Sequence, residues 1–159
     1  MSSLAAQPSG TPSPDTPVAR FLTGAEPLAV VPADEAELDA ATARTLGWAV
    51  LLGGSAEEVE ARAVQRTLAD QLDLPGNAAT SWDAFADALR DLPDRDEDSA
   101  GTLLVWTPAA AAGLESDAVA DLIELLAEVA AETGRGSRGL KVMVASDLIA
   151  GQLADEESA

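Results

Sequence analysis

Short apolar runs alternate along this chain with longer segments whose apolar residues recur every three or four positions. Leu28 to Val31 is one such run, closed by Pro32. Asp34 is placed to cap a helix reaching about Leu46, with Leu38, Ala41 and Leu46 on one side. Trp48 to Leu52 is a second run, ended by Gly53-Gly54. From Ser55 an acid-rich first turn opens a helix to about Leu72, with Ala61, Val64, Leu68 and Leu72 on one stripe. Leu74-Pro75-Gly76-Asn77 breaks it, and Thr80 or Ser81 caps a short helix from Trp82 to about Leu92. Pro93 to Gly101 reads as a charged loop, and Thr102 to Trp106 as a strand of the fully buried type. Ser116 caps a long helix ending at Gly134, whose Val119, Leu122, Ile123, Leu126 and Val129 share a face. Leu140 to Ala145 is the last strand. Continuous apolar strands separated by helices predict an α/β fold, a small parallel sheet packed on helices. Leu28 to Leu46 is expected to add an N-terminal strand and helix to its edge.

The ends carry a different pattern. Residues 1–18 hold Pro8, Pro12, Pro14 and Pro17 among Ser, Thr and Gly, a composition too polar to offset its ordering entropy, so a disordered tail is expected. Residues 151–159 read as an acidic C-terminal tail. The domain plan is thus a tail, an extension over 19–47, a main domain over 48–150 and a second tail. The start of the chain has neither a basic n-region nor an apolar h-region, and Leu103 to Leu114, broken by Thr107 and Pro108, is too short to span a bilayer. A cytoplasmic location without membrane contact is expected.

Composition narrows the chemistry. The 159 residues carry 28 Asp plus Glu against 9 Lys plus Arg, a formal charge of -19, with no Cys, His or Tyr. Disulfides, thiolate or imidazole metal sites, and Ser-His-Asp or Cys-His catalysis are excluded. The field repels phosphates, so direct nucleic-acid binding is not expected. A hydrophobic fraction of 47% still supports a packed core, though with five aromatics in the chain it must rest on Leu, Val and Ile.

The placement of the acid is informative. Asp83, Asp87 and Asp91 stand at i, i+4 and i+8 on the short helix, where like charges each cost a few tenths of a kcal/mol, roughly. The macrodipole favours Asp83 in the first turn and opposes Asp91 near the last. Asp87 has neither excuse. Asp117, Asp121, Glu124, Glu128 and Glu132 line the polar face of the long helix, which contains no base. A single-sign face is poor for folding and suited to a partner of opposite sign.

Competing chemistries fit less well. A carboxylate-pair glycosidase needs aromatic platforms that are scarce here. Asp94 to Asp98 lacks the alternating ligands, central Gly and closing Glu of a calcium loop. Gly53-Gly54-Ser55 follows a strand but forms no phosphate-loop motif. Ser146-Asp147-Leu148 is a reversed carrier-protein attachment triplet at the wrong end of the chain. No enzyme, cofactor or metal is expected.

Leu72-Asp73-Leu74-Pro75, followed by Ser81-Trp82-Asp83-Ala84-Phe85-Ala86-Asp87-Ala88-Leu89, resembles the barstar family of ribonuclease inhibitors. Leu104-Val105-Trp106 matches that family's Leu-x-Trp strand, and a long helix and apolar strand follow in the same order over about residues 48–146. The resemblance implies a small parallel sheet and an acidic helix that plugs a ribonuclease's basic cleft. By position it implies that Asp87 mimics phosphate, with Asp83 beside it and Glu128 as a further contact. Departures lie at Asn77-Ala78, where the family carries Tyr, at Ala86, where it carries Trp, and at Arg90, a base on the contact surface. Asn77, Asp83, Ala86, Asp87, Arg90, Asp91 and Glu128 are therefore the candidate partner-binding residues. The expected function is an intracellular inhibitor or immunity protein that neutralises a basic ribonuclease or related toxin. The alternative is an acidic protein-interaction module on the same fold.

Overall fold

The computed structural model describes residues 16–54, 60–96, 98–109, 112–133 and 139–158. Its helices are Pro17–Thr23 (α1), Ala33–Thr45 (α2), Ala61–Gln71 (α3), Trp82–Arg90 (α4), Asp117–Thr133 (α5) and Asp147–Ser158 (α6). Its strands are Leu28–Val31 (β1), Ala49–Gly54 (β2), Thr102–Thr107 (β3) and Leu140–Ala145 (β4). They form one sheet in the order β1-β4-β3-β2, and every pair is parallel. The expected α/β architecture is the observed one, and the N-terminal strand joins it at the edge beside β4.

Alternation along β3 and β4 divides the core between the two faces of the sheet. Leu104 and Trp106, with Val142 and Val144, pack under Leu68, Phe85, Leu89, Leu122, Leu126 and Val129 of α3, α4 and α5. Leu103 and Val105, with Met143 and Ala145, pack under Val18 and Leu22 of α1 and Ala36, Ala40 and Ala43 of α2. Lys141 of β4 fastens the α1–β1 connection to the sheet. Its ammonium donates to the Gly24 carbonyl (2.8 Å) and to that of Glu26, and lies 5.2 Å from the Phe21 ring centroid. Partial burial lowers its pKa, against the opposing charge of Glu26.

Several expectations change. The α2 stripe is wrong: Leu38 is 71% exposed and Ala41 is exposed, while Ala36, Ala40 and Ala43 are buried. Small side chains bring the helix close to the sheet, and only Leu46 of the expected set packs on that core. Asp34 is not the cap either. The helix starts at Ala33, whose N–H donates to the Asp147 carboxylate at 2.9 Å, and Asp34 sits in its first turn. Gly53 and Gly54 continue β2 rather than end it. A Cβ on Gly53 would come within 2.5 Å of Leu68 Cδ2, and the Gln71 carboxamide pairs both the N–H and the C=O of Gly54. The expected start of α3 at Ser55 lies outside the described residues; within them, Glu60 precedes the helix.

Helical structure takes in residues that the sequence pattern assigns to the tails. Thr16 accepts from the Ala19 N–H and opens α1, so Pro17 and Val18 belong to structure. The C-terminal segment continues α6, capped by Ser146 at the Ile149 N–H (3.1 Å), with Ile149 fully buried and Leu153 against the core. In the charged loop, Leu92–Arg95 forms a 3-10 turn with Leu92 and Pro93 buried.

Candidate functional site

Local sequence fixes the α3–α4 connection tightly. α3 ends with Asp73 in the left-handed region at φ 54°, the Leu74 N–H on the Ala69 carbonyl (2.8 Å) and the Asp73 N–H on that of Asp70 (3.2 Å). This is a Schellman closure with Asp in the place Gly usually takes. Arg95 covers the same helix end, donating to the Leu72 (2.6 Å) and Asp73 (2.9 Å) carbonyls. The chain then enters a 3-10 turn, Gly76–Ala79, which carries exposed Asn77. Gln65, fully buried, donates to the Ala78 carbonyl at 2.9 Å and accepts from Arg62, which also donates to the Thr80 carbonyl at 2.7 Å. Two side chains of α3 thus hold the turn that presents Asn77. Ser81 accepts from the Ala84 N–H at 3.3 Å and starts α4.

On α4, Phe85 and Leu89 are fully buried and aim the opposite face outward. With about 100° per residue, Asp83, Asp87 and Asp91 fall on that outer face, and all three are exposed. Glu128 is exposed on neighbouring α5. Of the sequence-selected residues, Asn77, Asp83, Asp87, Asp91 and Glu128 are therefore at the surface. Ala86 is not: at 6% exposure it borders the buried stripe and belongs to the core. As a contact residue it is withdrawn.

Arg90 also changes the picture. Its Nη1 meets the Asp87 carboxylate at 2.7 Å, and its Nε meets Glu132 of α5 at 2.8 Å, with Nη2 at 3.3 Å from the second oxygen. The hydrogen bond with Glu132, more than the charge of Asp87, raises the Arg90 pKa above its ordinary value. Asp87 thus has a structural partner that the row of acids alone did not suggest. The i, i+3 spacing of Asp87 and Arg90 was the available signal; Glu132, from another helix, had none. The Asp87 side chain remains 76% exposed, so its other oxygen lone pairs face water. Trp82, which marks the helix start and belongs to the family motif, was not among the sequence-selected site residues.

Carboxylates fixed on two packed helices can accept charge-assisted hydrogen bonds from Arg or Lys in a geometry set before contact. Among the described residues, no group of His, Cys, Asp and Glu side chains is arranged to hold a metal ion, and no helix is long and apolar enough to cross a membrane. The class so defined is a small parallel α/β domain with a rigid, acidic helix face. The family model for barstar, the barnase inhibitor, matches residues 56–145, more than half of the chain, and the chain belongs to that family. No curated protein and no solved structure matches the chain. The family match takes in α3 through β4, and α1, β1, α2 and β2 precede it.

Proposed function

We propose that this protein acts inside the cell as an inhibitor of a basic ribonuclease or related toxin, covering the enzyme's active site with the α4 face. Asp87 takes the place of a substrate phosphate, Asp83 and Asn77 flank it, and Asp91 and Glu128 extend the acidic contact. The observation that carries this reading is the exposure of Asp83 and Asp87 on one face of a rigid helix, beside the fixed Asn77 turn, within the stretch that matches the family. A charge of -19 steers a cationic partner, so the on-rate should fall as salt rises. The mechanism is occlusion plus electrostatic mimicry, and requires no turnover by the protein itself.

A second reading, an acidic interaction module without ribonuclease inhibition, is favoured by two observations: Arg90 already engages Asp87, and no aromatic side chain stands at position 86. One experiment separates the two. RNA hydrolysis by a barnase-type ribonuclease is titrated with wild-type protein and with Asp87→Ala. The inhibitor reading expects stoichiometric loss of activity with wild type and at least about 2 kcal/mol weaker binding for the variant, carried by a faster off-rate. Undiminished hydrolysis at excess wild-type protein would favour the module.

A further inference from the structure

Beside the acid row, α3, α4 and α5 enclose a cleft of about 260 Å³, lined by Ala61, Trp82, Asp121 and Leu125. That is below the roughly 300–1,000 Å³ of small-molecule sites and suits a single side chain. Its aromatic wall is held from two sides. Phe85 meets Trp82 edge-on, with centroids 5.7 Å apart at 88°, and the Arg62 guanidinium lies 5.9 Å from the Trp82 ring centroid. Arg62 is itself tied to Gln65 and to the Thr80 carbonyl. Trp82 is only half-buried, unlike Phe85 and Trp106, which are fully buried. Among the described residues, Asp121 has neither an ion-pair nor a hydrogen-bond partner.

Resting on the inhibitor reading, we propose that this cleft is an anchor subsite that takes one Lys or Arg side chain of the basic partner. The aliphatic stem lies between Leu125 and Trp82, and the cationic head reaches the Asp121 carboxylate. Long cationic side chains bury their stems on apolar surface and keep the head polar. Arg62 already lies against the Trp82 ring and repels a second cation there, so the incoming head is directed to Asp121. Charge complementarity selects this occupant over an apolar one: α5 contributes only acids to its polar face, and Asp83 follows Trp82 directly in sequence. Trp82 thereby supplies the rigid aromatic anchor that Asn77-Ala78 and Ala86 lack.

The test is an NMR titration of the full chain at low salt with a capped tri-arginine peptide, and with the uncharged citrulline analogue as control. Saturable shifts are expected at the Trp82 indole N–H and the Leu125 methyls. Asp121→Asn should weaken them by at least about fivefold, and the citrulline peptide should leave them unmoved. Leu125→Lys, which places a cation in the cleft, should abolish them, and serves equally if Asp121→Asn disturbs the fold. Equal affinity in these variants, or equal shifts with citrulline, overturns the subsite. Shifts confined to α4 and lost in Asp83→Asn or Asp87→Asn overturn the subsite while sparing the inhibitor reading. No shift on either surface overturns the subsite and counts against the reading beneath it.

Discussion

The two faces of the sheet are built from different materials. The face under α3, α4 and α5 is filled by Phe85, Trp106 and a set of fully buried leucines. On the other face α2 buries only alanines, Ala36, Ala40 and Ala43, and packs them with Val18 and Leu22 of α1 over Leu103, Val105 and Met143. Large interlocked side chains hold a helix in one position, which the acidic face of α4 needs if its carboxylates are to be set before contact. The alanine face allows close approach and little more, and it leaves Leu52 at its margin 58% exposed. The family match covers α3, α4 and α5 of the first face, though not α6, and neither helix of the second. In this chain the N-terminal extension covers Leu103, Val105, Met143 and Ala145, which would otherwise face water.

Deleting residues 1–46 is the strongest way to break that comparison. It strips α1, β1 and α2 and exposes those sheet residues along with one edge of β4. With about 1.5–3 kcal/mol per large apolar side chain and a typical total of about 5–15 kcal/mol, the truncated chain should lose its cooperative melt by circular dichroism. A melt within a few degrees of the full chain's would show the second face to be dispensable. Next in size is a pair of core substitutions. Phe85→Ala opens the packed face and should cost about 3–5 kcal/mol in urea unfolding. Ala43→Leu overfills the thin face and should cost about 1–3 kcal/mol. If Ala43→Leu is the more damaging, the close helix–sheet approach, not the large-residue core, limits stability.

Asp87→Ala sharpens the contrast between presenting a surface and supporting one. Binding to a barnase-type ribonuclease should weaken by at least about 2 kcal/mol, as above. Stability should change by less than about 1 kcal/mol, because the Asp87–Arg90 pair is exposed and Arg90 retains Glu132. A large loss of stability would make Asp87 a scaffold residue and undercut its proposed role as phosphate mimic.

Most of the first face was legible in sequence, because Val64, Leu68, Leu72, Leu122, Leu126 and Val129 are large and fall on helical stripes. The second face was not. Alanine has too little apolar surface to mark one stripe over another, and Leu38, the one leucine of α2, faces solvent and shifts the apparent stripe toward Ala41. The α1 helix was hidden by the Pro-rich composition before it, although Thr16-Pro17 is a sound cap and first residue. In the candidate site, spacing predicted the exposed row of Asp83, Asp87 and Asp91, since it depends on one helix. Ala86 stands at a contact position of the family motif, but its angle, beside Phe85 and Leu89, turns it toward the core. The Arg90–Glu132 bridge and the Trp82 cleft join residues from separate helices, a relation that local periodicity cannot carry.

The smallest expected effect tests how the second face bears the chain's acidity. Asp39 of α2 is half-buried, and desolvation first, then the charge of Glu35 one turn earlier, raises its pKa above the ordinary carboxylate value. A raised folded-state pKa means that the folded protein binds the proton more tightly than the unfolded chain. The resulting stability is fully present below the unfolded pKa and is lost as pH rises through the folded one, so near neutrality Asp39 is a net burden. Asp39→Asn should therefore raise the melting temperature at about pH 7, and the difference should vanish near pH 3, where both states of the parent are protonated. Since the carboxyl is only partly buried and water screens it, the gain is only a few tenths of a kcal/mol, roughly. Paired melts of parent and variant at each pH isolate this term from the acid unfolding common to both. A gain of equal size at both pH values would assign it to helix propensity or packing instead, and a loss at pH 7 would mean that the Asp39 charge supports α2.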